Sequence, residues 1–206
     1  MKDFSYNIEG ITICCSKFDS SVTEQFEKTD LALKYAGIYS QRKSLKRKEE
    51  FAAWMLLLER MLGKTPEIKY DENGKPWLKD DALYISVSHC KEIVCVGLAH
   101  FPIGIDIEPV SDRIVRLAER FMTPKEFEEL NSSTDIATNA TICWCGKEAI
   151  YKLIGEKALD FKNAIEIKKY TISSNFYGSV GFSQNIHLNS IGYDDKVIVV
   201  AYENKH

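Results

Sequence analysis

The stretch that most constrains the fold is Pro-Ile-Gly-Ile-Asp-Ile-Glu at residues 102–108. Its alternating isoleucines predict a buried strand, in which side chains two residues apart point to the same side of a sheet. Ile105 and Ile107 are therefore expected to enter the core, while Asp106 and Glu108 converge on one spot. The other interpretation is a solvated sheet edge that carries two ordinary acids.

Two carboxylates this close to each other point to a cation site. Like charges repel, and each acid is pushed toward protonation unless a cation lies between the two. Hard carboxylate oxygens suit Mg²⁺, which takes few protein ligands and completes its shell with water and phosphate. Asp106 and Glu108 are thus candidate Mg²⁺ ligands.

The composition is that of an ordinary soluble globular protein. The chain has 206 residues, of which 45% are hydrophobic and 28% charged, and its net charge of −3 argues against non-specific nucleic-acid binding. We expect a cytoplasmic location and no membrane contact, because no apolar run suits a signal peptide or a bilayer span. The six cysteines form no Cys-x-x-Cys pair, which leaves a zinc site as a minor alternative to buried reduced thiols.

Hydrophobic periodicity predicts an α+β fold, with helices followed by strands in each half of the chain. We expect two similar subdomains, 1–108 and 109–206, each with a small antiparallel sheet packed against helices. The first half is predicted to hold helical segments at 22–35 and 44–62 and strands at 11–15, 83–88, 93–99 and 103–107. The second is predicted to hold helices at 114–121 and 139–154, a helix start at 123–126, and strands at 164–168, 176–182, 186–188 and 196–202.

The predicted helix 139–154 carries a polar stripe beside its apolar face. Trp144, Glu148 and Lys152 recur at i, i+4 and i+8 and so lie on one side of the helix. One interpretation is that the stripe presents an acid and an ammonium to a shared site. The alternative is an exposed Glu148–Lys152 ion pair on the protein surface.

Several short motifs in a fixed order resemble the signature of the 4′-phosphopantetheinyl transferases. The helix matches the pattern W-x-x-K-E-A-x-x-K at Trp144, Lys147, Glu148, Ala149 and Lys152. Upstream stand Gly-Lys-Pro, Ser-His, Gly-Ile-Asp-Ile-Glu and a Phe-x-x-x-Glu-x-x-x-Leu-like segment, at 74–76, 88–89, 104–108 and 121–130. The chain length resembles the surfactin-synthetase-activator (Sfp-like) type. That type implies a monomer of two subdomains in pseudo-twofold arrangement, with the coenzyme A site between them.

The resemblance implies a reaction and roles for the acids. Phosphopantetheine would pass from coenzyme A to a serine of an apo acyl or peptidyl carrier protein, with release of adenosine 3′,5′-bisphosphate. Asp106, Glu108 and Glu148 would hold Mg²⁺, and Lys152 would neutralise a phosphate oxygen. Glu148 is also the leading general base, and the sequence leaves open how its two roles divide. Glu126 matches a family acid, yet its capping box gives it a structural role as well.

The coenzyme A contacts are expected from five further positions or motifs. His89 would donate a hydrogen bond to a phosphate, with Ser88 beside it. Arg42 or Arg47, in the densest basic run, would face the 3′-phosphate, although such a run is also typical of a solvated helix start. Gly74, Lys75 and Pro76 would line the cofactor, because glycine lets the backbone approach closely.

Two other functions use the same residues. One is a coenzyme A or nucleotide sensor that binds without turnover, and the other is a Mg²⁺-dependent nucleotide pyrophosphatase. Which carrier protein is modified stays open at this point, as does tolerance for acylated coenzyme A.

Overall fold

The chain divides into two units, the first comprising Met1–Lys69 and Pro76–His100 and the second Tyr70–Lys75 and Phe101–His206. The computed structural model describes residues 3–79, 82–156, 158–168, 175–180 and 184–203. The strand that carries Asp106 and Glu108 is counted with the second unit. The predicted subdomain boundary after Glu108 stays a prediction.

The first unit is built on an antiparallel four-stranded sheet. Its described elements are β1 (Asp3–Ile8), β2 (Ile11–Lys17), α1 (Val22–Glu27), α2 (Asp30–Lys34), α3 (Ala36–Ser40), α4 (Leu45–Leu62), β3 (Ile68–Tyr70), β4 (Pro76–Leu78), β5 (Tyr84–Cys90) and β6 (Ile93–Ala99). The strand order is β1-β2-β6-β5, while β3 and β4 form a separate two-stranded sheet. Strand β6 is buried along its whole length, as its uninterrupted apolar sequence predicts for an inner strand.

Helix α4 packs against β2 and β6, and a capping residue stands at each of its ends. The Ser44 side chain accepts a hydrogen bond from the backbone N–H of Arg47, which satisfies one donor of the first turn. Gly63 ends the helix in the left-handed conformation, with φ of 65°. Phe51 and Met55 lie on the buried face, as the helical spacing predicts.

The second unit is built on an antiparallel five-stranded sheet. Its described elements are β7 (Ile103–Pro109), α5 (Asp112–Phe121), α6 (Pro124–Asn131), α7 (Ile136–Ile154), β8 (Ile165–Lys168), β9 (Asn175–Val180), β10 (Gln184–Tyr193) and β11 (Lys196–Glu203). The strand order is β7-β11-β10-β9-β8, and α7 packs across β7 and β11. Gly155 ends α7 with φ of 77°. The predicted α+β class, with small antiparallel sheets packed against helices, is confirmed.

The structure differs from the prediction at several elements. The helical segment 22–35 is interrupted, because Thr29 has extended backbone and caps a second helix. Strand β1 was not predicted, although Phe4, Tyr6 and Ile8 alternate with polar residues, and it lies mostly exposed at a sheet edge. Strand β10 is longer than predicted because the buried Asn189 and Ser190 obscure its apolar pattern. The predicted strand 176–182 ends at Val180 in β9, and residues 181–182 lie outside the described part.

Among the helices of the described ranges, none combines the length and the apolar character that a membrane crossing requires.

Candidate active site

The two acids of β7 meet the polar stripe of α7. Asp106 is 5% exposed on the helix-facing side of the strand, whereas Ile105 and Ile107 on the other side are fully buried. Lys152 donates to the Asp106 Oδ1 atom at 2.8 Å and to the backbone oxygen of Ile105 at 2.9 Å. The alternative of a solvent-exposed surface pair is therefore wrong for Lys152, whose side chain is only 27% exposed.

Gly104 brings the helix and the strand into this close approach. A Cβ atom built at Gly104 would lie 1.9 Å from the backbone oxygen of Ala149 and 2.7 Å from the backbone nitrogen of Leu153. Backbone atoms cannot yield as a flexible side chain can, so only glycine fits at this crossing. The glycine of Gly-Ile-Asp-Ile-Glu thus sets the distance between the strand acids and the helix.

Charge repulsion and burial perturb both glutamates of the centre. Burial and then the charge of Asp106 raise the pKa of Glu108 to about 7, against the opposing effects of Arg113, Lys152 and a hydrogen bond with Trp144. Burial and the charge of Asp106 also raise the pKa of Glu148, while Lys152 lowers it. Both carboxyls therefore stay protonated to a higher pH than ordinary glutamates do.

The acids of the centre have the ligand chemistry that a hard divalent cation prefers. The charge of Asp106 disfavours the ionisation of both Glu108 and Glu148, and a cation would relieve this repulsion. Within the described residues, no group of three or more His, Cys, Asp and Glu side chains is already arranged to hold a metal ion. The ammonium of Lys152 supplies the positive charge next to Asp106 in this arrangement.

The Gly-Lys-Pro turn lies against the end of α7. The Asp71 side chain accepts from the backbone N–H groups of Asn73 and Lys75, and Gly74 takes the left-handed conformation with φ of 82°. The Lys75 ammonium donates to the backbone oxygen of Leu153 at 3.1 Å, and burial lowers the pKa of this lysine. Lys75 therefore caps the carbonyl end of the helix that carries Glu148 and Lys152.

Pro76, the third residue of the motif, opens β4 in the first unit, where it is half-buried.

The first unit holds the remaining predicted coenzyme A residues. Ser88 is buried in β5, and His89 next to it lies 3.5 Å from the carboxylate of Glu50. Arg47 contacts the same carboxylate at 3.2 Å. Arg42 is placed differently, because its guanidinium stacks 5.2 Å from the centre of the Phe51 ring. The structure thus brings Arg47 and His89 together and leaves Arg42 in an aromatic contact.

Glu50 was not singled out from the sequence. It lies far from His89 along the chain, and the Glu-Glu pair at 49–50 resembles any solvated helical surface.

The motif lysine Lys147 is part of a buried ion pair. Its ammonium lies 2.9 Å from the Glu126 Oε2 atom, with side-chain exposures of 0% and 1%. Lys147 also donates to the backbone oxygens of Ile165 and Lys162, at 2.6 and 3.1 Å. The predicted capping box is present, and Glu126 additionally accepts from the N–H of Ile167 at 2.7 Å. Together the pair satisfies an N–H and a carbonyl of β8, the last strand of the sheet.

Comparison with known proteins agrees with the motifs. Residues 102–198 match the model of a family described as the 4′-phosphopantetheinyl transferase superfamily. The 4′-phosphopantetheinyl transferase gsp of Aneurinibacillus migulanus is 25% identical over 161 residues, and its counterpart psf-1 of Bacillus pumilus is 32% identical over 87 residues. These matches take in 77% and 41% of this chain, but only 65% and 37% of the two relatives. The predicted resemblance is confirmed, since the second half of the chain matches the model of this superfamily and both relatives are similar to the chain.

Proposed function

We propose that the chain transfers 4′-phosphopantetheine from coenzyme A to a serine of an apo acyl or peptidyl carrier protein. The transfer is Mg²⁺-dependent and releases adenosine 3′,5′-bisphosphate. The observation that carries the proposal is the meeting of Asp106 and Glu108 with Glu148 and Lys152 at one place, within the residues that match the model of this superfamily. Both curated relatives are named as transferases of this kind.

Each charged group of the centre has a part in this reaction. Asp106, Glu108 and Glu148 would hold Mg²⁺, which supplies Lewis-acid stabilisation of charge on the diphosphate. Lys152 is a mobile point charge that neutralises a phosphate oxygen as negative charge develops. Glu148 is also the proposed acceptor of the serine hydroxyl proton, and this role competes with metal binding because a bound cation lowers the pKa of its ligand.

The coenzyme A contacts belong to the same proposal. Ser88 and His89 take a phosphate, and Arg47 is favoured over Arg42 for this role because it shares a carboxylate partner with His89. Gly74, Lys75 and Pro76 line the adenine end of the cofactor. The ammonium of Lys75 also holds α7, so this lysine has a structural as well as a binding role.

The proposal includes a cytoplasmic monomer that acts on carrier proteins without nucleic acid or membrane contact. Its basis is the composition, with a net charge of −3, together with the resemblance to the two-subdomain type.

The test is intact-mass spectrometry of a panel of apo carrier proteins incubated with the chain, Mg²⁺ and coenzyme A. We expect a mass gain equal to phosphopantetheine on at least one carrier, and loss of about 100-fold or more of the rate in Asp106→Asn and Glu148→Gln. Asp112→Asn is the matched control, because this exposed acid lies at the start of α5. Circular dichroism checks folding, and calorimetry with Mg²⁺ checks metal binding apart from turnover.

Two results would replace the proposal by its alternatives. Tight coenzyme A binding without modification of any carrier would identify a sensor. Release of adenosine bisphosphate from coenzyme A without an acceptor would identify a pyrophosphatase.

A further inference from the structure

A second charged cluster lies in the first unit, around the carboxylate of Glu50 in α4. Only 7% of this side chain is exposed, and its Oε2 atom lies 3.2 Å from Nη1 of Arg47 and 3.5 Å from Nε2 of His89. Arg47 precedes Glu50 by three residues in the helix, whereas His89 approaches from β5. One carboxylate oxygen therefore faces two basic side chains from two different elements.

The buried carboxylate of Glu50 has two candidate cations within reach. Such a carboxylate costs free energy unless cations compensate it, and Arg47 and the imidazolium form of His89 are both placed to do so. Arg47 is the other charged group that reaches this carboxylate from α4, and the residue paired with His89 on β6 is the apolar Val94. With the imidazole protonated, Arg47, His89 and Glu50 together carry one net positive charge.

The two cations also turn a large part of their surface outward. The side chain of Arg47 is 63% exposed and that of His89 is 36% exposed, although both contact a buried acid. Guanidinium and imidazolium groups donate charge-assisted hydrogen bonds to phosphate oxygens, and the guanidinium does so through a rigid planar fork. Because the contacts with Glu50 already restrain both side chains, they lose less conformational entropy when a phosphate binds.

We propose that Glu50 is a positioning residue that holds Arg47 and His89 together as one binding site for a phosphoryl group of coenzyme A. Glu50 acts from beneath the two cations and does not contact the ligand. The identity of the ligand rests on the proposed function, whereas the arrangement of the three side chains does not.

The first test measures the pKa of His89 by NMR titration of the chain without ligand, with the imidazole signals assigned through His89→Asn. Glu50→Gln removes the compensating anion and is expected to lower the pKa by about one unit. Arg47→Gln removes a repelling cation and is expected to raise it. Glu49→Gln and Lys46→Gln are matched controls on the same helix, and neither should move the pKa of His89.

The second test measures affinity by calorimetry, with no carrier protein present. Glu50→Gln is expected to weaken coenzyme A binding about 10-fold. Parallel titration with 3′-dephospho-coenzyme A identifies the phosphate. If the site takes the 3′-phosphate, the substitution affects coenzyme A alone, and if it takes the diphosphate, both ligands are weakened.

An unchanged coenzyme A affinity in folded Glu50→Gln would overturn the proposal, whatever the His89 titration shows. If Glu50→Gln does not fold, Arg47→Gln decides, and an unchanged pKa or an unchanged affinity in that variant overturns it. Suppose that the wild type modifies carriers and that Glu50→Gln binds coenzyme A as tightly as the wild type. This result would refute the role of Glu50 and leave the proposed transfer standing. A chain that shows the expected shifts and affinities but modifies no carrier would refute only the proposed transfer.

Discussion

Replacing Lys147 by methionine tests whether this motif residue acts through the fold or through the reaction. Methionine keeps much of the length and apolar volume of the lysine but removes its ammonium. Glu126, whose side chain is 1% exposed, would then lose the ammonium that lies 2.9 Å from its carboxylate. The backbone oxygens of Ile165 and Lys162 would each lose a hydrogen-bond donor. Breaking one side of a buried pair costs about 3–5 kcal/mol, because the remaining charge is uncompensated. The free energy of unfolding should fall by that amount.

The measurement is urea unfolding followed by tryptophan fluorescence, with Lys125→Met as the matched control. Lys125 forms an exposed 3.3 Å pair with Glu166, with 68% of the lysine side chain accessible, so its loss should cost less than about 1 kcal/mol. Glu126→Gln should also be costly alone, and the double variant should recover about 2–3 kcal/mol relative to the sum of the single ones. A loss below about 1 kcal/mol, or strictly additive effects, would refute the reasoning.

Three further predictions concern the second unit. In the metal-free chain, the raised pKa of Glu108 means that the folded state binds more protons between pH 4.5 and about 7, so the free energy of unfolding should fall across that window. The contribution is about 1–3 kcal/mol after allowance for solvent screening, and Glu108→Gln should reduce this slope in urea titrations at several pH values, leaving the part that the raised pKa of Glu148 contributes. Gly104→Ala should destabilise by about 3 kcal/mol or more, since its Cβ would collide with the backbone of α7, and thermal unfolding measures the loss. Lys75→Met should cost about 1 kcal/mol and speed hydrogen exchange in the last turn of α7, where Leu153 loses its side-chain donor.

The regular parts of the fold were accessible from sequence because their signals are local. The spacing of Phe51 and Met55 together with Gly63 predicted α4, and the uninterrupted apolar run 93–99 predicted β6 with the bounds that the structure gives it. The grouping of Asp106 and Glu108 followed from the two-residue period of a strand. Each of these inferences needs only neighbours within a few positions.

The partners of the charged residues could not be predicted, because each contact joins elements far apart in sequence. The hydrogen bond from Lys75 to Leu153 spans 78 positions, and nothing in the Gly-Lys-Pro turn marks a helix end as its acceptor. Glu50 and His89 likewise meet only once α4 has packed against the first sheet. Sequence identifies which residues carry charge, and tertiary packing decides which charges compensate each other.

The two lysines of the W-x-x-K-E-A-x-x-K motif show why helix α7 must be fixed in rotation. Five residues apart on a helix, Lys147 and Lys152 point about 140° away from each other. Lys147 binds Glu126 and the edge of β8, whereas Lys152 binds Asp106 on β7. A rotation of α7 that loosened either contact would displace the other, and the close approach at Gly104 leaves little room for it. We therefore expect the buried pair to fix the rotation of α7 and, with it, the position of Lys152 against Asp106.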